Sequence, residues 1–219
     1  MSIEENVQQI LKELKEDVKL IAVSKTRTVE EMEQAYKIGI RDFGENKVQE
    51  LVDKYDKFHK DVHWHLLGHL QTNKVKYIVG KVHLIHSLDS IKLLEEIEKR
   101  FKAKDAIANV LIQINIGKEE SKTGIYLNEL EEIMNKCEQC TNVKVKGLMC
   151  IIPKGTEEEN RKYFREMNDI FQELKGKNYK NISMNILSMG MSGDYKIALE
   201  EGSNMIRVGQ GIFGPRNYK

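Results

Sequence analysis

Prolines number only two in 219 residues, and no Gly/Ser-rich stretch breaks the chain. No linker is visible, so a single domain spanning residues 1–219 is expected, a length that suits one large α/β unit. Cysteines number only three, an odd count that does not make a disulfide framework and points to a reducing cytoplasm. The opening MSIEENVQQILKELKED is acidic early and holds no apolar core of a secretory signal. A run of about 18 apolar residues is also missing, so no membrane span is expected. An excess of either charge is lacking too, with 35 Lys and Arg against 34 Asp and Glu, interspersed along the chain. That balance argues against a nucleic-acid binder.

What the chain does have is alternation. Ile3, Val7, Ile10, Leu11 and Leu14 lie on one face of an opening helix. Short apolar runs then recur at 18–24, 42–46, 62–68, 83–87, 107–116, 143–151, 182–188 and 204–208, each reading as a buried strand. Segments of helical period separate most of them. Thr28 with Glu31 and Thr156 with Glu159 have capping-box spacing, and Asp89 is placed to cap a helix built on Ile91, Leu94, Ile97 and Phe101. Eight strand–helix units argue for parallel strands with crossover helices. A closed (β/α)8 barrel of the TIM type, with an extra N-terminal helix, fits that count; an open doubly wound sheet is the alternative.

In such a barrel the chemistry sits at the C-terminal ends of the strands, and phosphate often binds after the seventh and eighth. Lys25 stands there, closing the apolar run VKLIAVS. A desolvated lysine offers a neutral amine able to attack an aldehyde, although a lysine at a strand end can also simply reach for solvent. SMGMSGDYK follows the seventh strand, where Ser188, Gly190, Ser192 and Gly193 open onto a helix N-terminus suited to phosphate, or merely make a turn. RVGQGIFG follows the eighth. Arg207 lies inside that strand, either paired with a barrel carboxylate or aimed at a ligand.

Two other groupings compete. His63, His65 and His69 form HWHLLGH, and the first two share a strand face as the metal-binding pair of a barrel hydrolase would. No later strand end supplies further histidines. Cys137 and Cys140 lie three apart on an expected helix without a second pair for zinc.

AVSKT, GENKVQE, WHLLGHLQTNK, SMGMSGD and RVGQGIFG, in this order, resemble the pyridoxal phosphate homeostasis protein family. That family looks like the barrel half of alanine racemases standing alone, and the resemblance runs from about residue 5 to 216. It implies pyridoxal 5'-phosphate (PLP) as cofactor, held as a Schiff base on Lys25, with Asn46 orienting it. Ser188, Ser192 and the amides around Gly190 and Gly209 would hold the phosphate, and Arg207 would face the pyridine nitrogen. His65, Gln71, Asn73 and Met149 would wall the pocket. Two positions depart from the family pattern. Gln210 stands where Ser or Thr is usual, leaving its backbone N–H as the phosphate donor there, and Leu66 stands where an aromatic is common.

An arginine cannot accept a hydrogen bond from a protonated ring nitrogen. If Arg207 meets that nitrogen, PLP becomes a weaker electron sink, which disfavours transaminase-type carbanion chemistry. Racemases of the resembling type add a second base, a tyrosine from another domain of the partner subunit. Here five residues follow Gly214, so no such domain is expected, and Tyr126, Tyr163 and Tyr195 fall on expected helices. The expectation is a cytoplasmic, monomeric PLP-binding protein acting in PLP homeostasis, not an enzyme, with PLP-requiring apo-enzymes as candidate recipients. A PLP-dependent racemase or decarboxylase is the alternative. A phosphosugar-type barrel with a Schiff-base lysine and no bound chromophore is a third.

Overall fold

The computed structural model describes residues 2–215, which form a closed barrel of parallel strands in the order β1 to β8. The strands are Lys19–Val23, Asp42–Glu45, His63–Leu66, Leu84–Leu88, Ala108–Ile114, Val143–Cys150, Ile182–Ser188 and Met205–Val208. The barrel closes where β1 lies beside β8, with Lys19 opposite Met205 and Ala22 opposite Val208. The (β/α)8 expectation therefore holds, and the open sheet is excluded. Parallel strands buried on both faces need continuous apolar runs, which is why the short apolar stretches alone located all eight.

Around the barrel run α1 (Ile3–Glu13), α2 (Val29–Lys37), α3 (Val48–Tyr55), α4 (Ile91–Lys102), α5 (Leu130–Gln139), α6 (Glu157–Lys175), α7 (Tyr195–Glu200) and α8 (Gln210–Phe213). Their starts follow local chemistry. The Thr28 and Thr156 capping boxes open α2 and α6, and Ser2 with Glu5 makes a third at α1. Asp89 is not the cap of α4; Ser90 is, its hydroxyl accepting from the Leu93 N–H. Asp89 instead accepts from the His69 ring at 2.7 Å. Between β3 and β4 the chain makes only a 3-10 turn over Thr72–Tyr77, so the alternation of strand and α-helix lapses once. Leu11, assigned to the packed face of α1, is 40% exposed.

Two apolar layers result. The larger fills the space between strands and helices, with Trp64, Phe43, Phe101 and Phe164 among its fully buried side chains. The smaller lies inside the barrel, where Ile21, Leu67, Leu84, Leu111, Met149 and Met205 pack together. At Gly147 the register of β6 shifts against both neighbours. Its φ is +149°, and a Cβ there would stand 1.8 Å from the Ile186 carbonyl oxygen, so only glycine lets β6 pass β7 at this point. No helix of the described residues is long and apolar enough to cross a membrane.

Candidate functional site

A cavity of about 660 Å³ opens at the C-terminal ends of the strands. It falls in the size range of small-molecule sites. Lys25, Asn46, Ser192, Arg207, Gly209 and Gln210 line it, together with Lys154, Asn160 and Asp194. All but Asn160, which lies in the first turn of α6, come from the segment past a strand or from a strand's last residues, as the barrel geometry requires.

Lys25 sits two residues beyond β1, half-buried in the cavity wall. The backbone that presents it is tied down on both sides. Before it, the buried Ser24 hydroxyl donates to Glu45 Oε1 at 2.7 Å, and Lys54 Nζ donates both to the Ser24 carbonyl and to Glu45 Oε1, each at 2.8 Å. After it, Thr26 adopts a left-handed φ of +63°, and its N–H donates to Glu50 Oε2 at 2.8 Å. Glu45 is wholly buried, and its Oε2 has no hydrogen-bond partner. Burial pushes its carboxyl up to about 7, against the pull of Lys54 and Ser24. The amine of Lys25 is thus mounted on a rigid turn over a buried ion pair.

Arg207, in β8, is mounted differently. Its Nη2 donates to the Cys150 carbonyl at 2.8 Å and its Nη1 to Ser188 Oγ at 2.7 Å. Ser188 in turn meets His86 Nδ1 at 3.2 Å, His86 Nε2 meets His65 Nδ1 at 2.9 Å, and His65 Nε2 meets Asp42 Oδ1 at 2.9 Å. A row of polar side chains therefore threads the barrel interior. It runs from the cofactor-sized cavity to a second one, of about 370 Å³, at the N-terminal mouth, which His65, His83 and Lys19 help line. Burial lowers the pKa of both His65 and His86, holding them neutral, and it lowers that of Arg207 as well.

The loops after β7 and β8 converge on one oxygen. Ser192 Oγ accepts from the Gly209 N–H at 3.3 Å and from the Gly211 N–H at 3.1 Å. Two amides aimed at a single oxygen form a ready acceptor site for an oxyanion. Gly190 makes the turn possible. Its φ is +95°, and a Cβ would collide with Ala198 and Tyr195 at the start of α7. Burial raises the Asp194 carboxyl in the same wall, although the Met191 N–H and Arg207 draw it down.

The residues singled out from the sequence thus divide in four. Lys25, Asn46, Ser192, Arg207, Gly209 and Gln210 share the cavity. Ser188 and Gly190 stand behind it, the former against Arg207 and the latter accepting the Arg207 N–H on its carbonyl. His65 and Met149 are inside the barrel, beneath the cavity, while Gln71 and Asn73 line a separate depression with His69. His63 and His65 do share a face, and both turn to Asp42, at 3.3 and 2.9 Å. Groups of three or more His, Cys, Asp or Glu able to hold a metal are absent among the described residues. The Glu45–Lys54 pair and the cavity residues Lys154 and Asn160 had not been singled out. Lys54 alone carried a signal, a basic residue at helical spacing from Glu50 on α3.

Residues 1–217 match the family model described as alanine racemase, N-terminal domain. The pyridoxal phosphate homeostasis protein of Aquifex aeolicus is 44% identical over 202 residues, covering 91% of this chain and 88% of that protein. The structure of PipY from Synechococcus elongatus with PLP bound superposes with a TM-score of 0.90 at 34% identity, covering 97% of this chain and 100% of that one. An alanine racemase of Clostridium difficile shares the fold at a TM-score of 0.80 and 16% identity, covering 100% of this chain and 58% of its own.

Proposed function

The chain belongs to the alanine racemase N-terminal domain family, and from that premise we propose that it binds pyridoxal 5'-phosphate reversibly through Lys25 and serves PLP homeostasis. One observation carries this reading. A lysine amine, an arginine and two amides converging on an oxygen meet in a single cavity of ligand size.

The residues present fit the group. PLP supplies an aldehyde that condenses with a primary amine, releasing water, and the step reverses when water returns. Lys25 Nζ is the amine, on a turn that Glu45, Lys54 and Glu50 hold in place. The Gly209 and Gly211 N–H groups, now shared by Ser192 Oγ, are the donors for a phosphate oxygen, with Ser192 moving from acceptor to donor. Gln210 contributes through its backbone, its side chain being exposed. Arg207 would face the ring, and Asn46, which lines the same cavity as Lys25, would orient the group. His65, Met149, Ser188 and Gly190 support these groups from behind rather than touching PLP.

Holding is favoured over turnover. Among the described residues lining the cavity there is no tyrosine to oppose Lys25 as a second base. Tyr195 is engaged elsewhere, donating to Glu13 at 2.6 Å. The protein is accordingly a non-enzymatic carrier, one barrel domain over 1–219, monomeric and cytoplasmic, which releases PLP to apo-enzymes that require it. The test is uptake of PLP by purified apo-protein, followed by borohydride reduction and mass mapping. A reduced adduct on Lys25, lost in Lys25→Ala, is expected. Attachment at another lysine, or amino-acid racemisation or decarboxylation above the Lys25→Ala background, would overturn the reading.

A further inference from the structure

With both imidazoles neutral, the row of side chains inside the barrel has one consistent set of protons. An arginine offers donors only, and a carboxylate offers acceptors only. Asp42 at one end therefore accepts from His65 Nε2–H, at 2.9 Å. A neutral imidazole has one donor and one acceptor, so His65 Nδ1 must accept, and His86 Nε2–H donates to it at 2.9 Å. That leaves His86 Nδ1 as an acceptor, served by the Ser188 hydroxyl at 3.2 Å. Ser188 Oγ in turn accepts from Arg207 at 2.7 Å. Four hydrogen bonds all point the same way, from Arg207 to Asp42.

The direction matters because of where Arg207 sits. It is 4% exposed, and a buried cation needs a counter-charge or strong hydrogen bonds. The side-chain contacts described for it are to a hydroxyl and a carbonyl, not to a carboxylate. Like-directed hydrogen bonds in a low-dielectric interior polarise one another, so the negative charge of Asp42 is felt at the far end of the row.

We infer that Asp42, His65 and His86 are positioning residues that act through Ser188 to orient Arg207 and supply its counter-charge from the opposite mouth of the barrel. The Asp42 charge adds to that of Asp194, which stands in the cavity wall and acts on the guanidinium without a described hydrogen bond to it. The inference rests on the proposed function in one respect only, that Arg207 faces bound PLP. Other charges meet the row at its basal end. Lys19 Nζ lies 3.5 Å and His63 Nδ1 3.3 Å from Asp42, and the His83 ring stacks on that of His63. Lys19 and His63 have half-exposed side chains and share Asp42 with solvent, whereas His65 faces it at 2.9 Å from a buried position. Asp194 is the remaining charge near Arg207.

The experiment is nitrogen-15 NMR of the histidine and arginine side chains in apo-protein at pH 7.5, with His65 and His86 assigned by single His→Gln replacements. Both rings are expected as neutral Nε2–H tautomers. In Asp42→Asn, whose amide can donate as well as accept, that order is lost at His65 and also at His86, and the Arg207 side-chain signals shift. A role limited to local packing would not reach His86, which does not touch Asp42. An Nδ1–H or doubly protonated ring in the wild-type protein overturns the inference, as does a change in Asp42→Asn confined to His65. In PLP-loaded protein, removing the negative charge lowers the pH midpoint of the visible-band titration by roughly a few tenths of a unit; an unmoved midpoint counts against it. If wild-type protein takes up no PLP, the proposed function fails, and the apo-protein spectra alone decide this inference.

Discussion

Lys25 and Arg207 face the same cavity, yet the structure supports them by opposite means. Beneath Lys25 the support is short and ionic. Ser24, Glu45 and Lys54, from the ends of β1 and β2 and from α3, meet directly, and their carboxylate–ammonium contact of 2.8 Å lies beside the turn that carries Lys25. Beneath Arg207 the support is long and built from neutral groups, and the carboxylate that ends the hydrogen-bonded row, Asp42, lies at the far mouth of the barrel. The contrast follows from what each residue must do. Lys25 needs a fixed backbone to present its amine, and Glu45, Lys54 and Glu50 hold the residues on either side of it. Arg207 keeps its charge at any pH, so the fold arranges neutral donors and acceptors around it.

The sharpest way to break the comparison is to remove one half of the ionic support. Lys54→Met leaves Glu45 buried with no cation, which costs roughly 3–5 kcal/mol of stability when the carboxyl is ionised. Urea unfolding at pH 8 should show that loss, and at pH 5.5, where Glu45 takes a proton, the loss should shrink. Equal losses at both pH values would mean that the pair is not ionic in the folded protein.

Glu45→Gln tests the same seat from the other side. In the folded protein the Glu45 carboxyl is raised from 4.5 to about 7, so between those values the folded state binds more protons than the unfolded one. Stability from this group is therefore full below about pH 4.5, falls as pH rises toward 7, and is flat above. Glu45→Gln should remove that slope from a series of melting curves.

Ser188→Ala probes the neutral support. It leaves a guanidinium N–H and an imidazole nitrogen unpaired, for a loss of roughly 1–3 kcal/mol that changes little between pH 5.5 and 8. Calorimetry or urea titration reads it, and a steep pH dependence would blur the distinction between the two seats. The smallest effect belongs to the phosphate end. Gln210→Thr adds one neutral hydroxyl donor, about 1 kcal/mol tighter PLP retention by equilibrium dialysis. Unchanged or weaker retention would count against a phosphate at Gly209–Gly211.

Much of this arrangement was legible in the residues. Strand ends selected Lys25, Arg207 and Gly209, because in an eight-stranded parallel barrel the residues around a strand's C-terminal end lie at the mouth, and the resemblance added Asn46. What periodicity does not carry is depth. His65 alternates inward as the pattern requires, but a two-residue period says nothing about its level along the barrel axis, and it lies below the cavity rather than in its wall. His86, not among the expected site residues, finds its partners on the neighbouring strand β3 and on β7, across the barrel. At α4 Asp89 was the expected cap, whereas its neighbour Ser90, of equal capping chemistry, is the one used. The 2.7 Å contact between Asp89 and His69, a long-range one, decided between them.

The seam between β1 and β8 has a consequence for synthesis on the ribosome. Lys25 emerges early and must wait for nearly the whole chain, since Arg207 and the Gly209–Gly211 amides are delivered last and the seam pairs Lys19 with Met205. Until then β1 has an open edge, and the amine has no phosphate loop opposite it. A nascent chain arrested before Gly211 should therefore expose a reactive lysine without being able to retain PLP, so binding becomes a report that translation has passed the last strand.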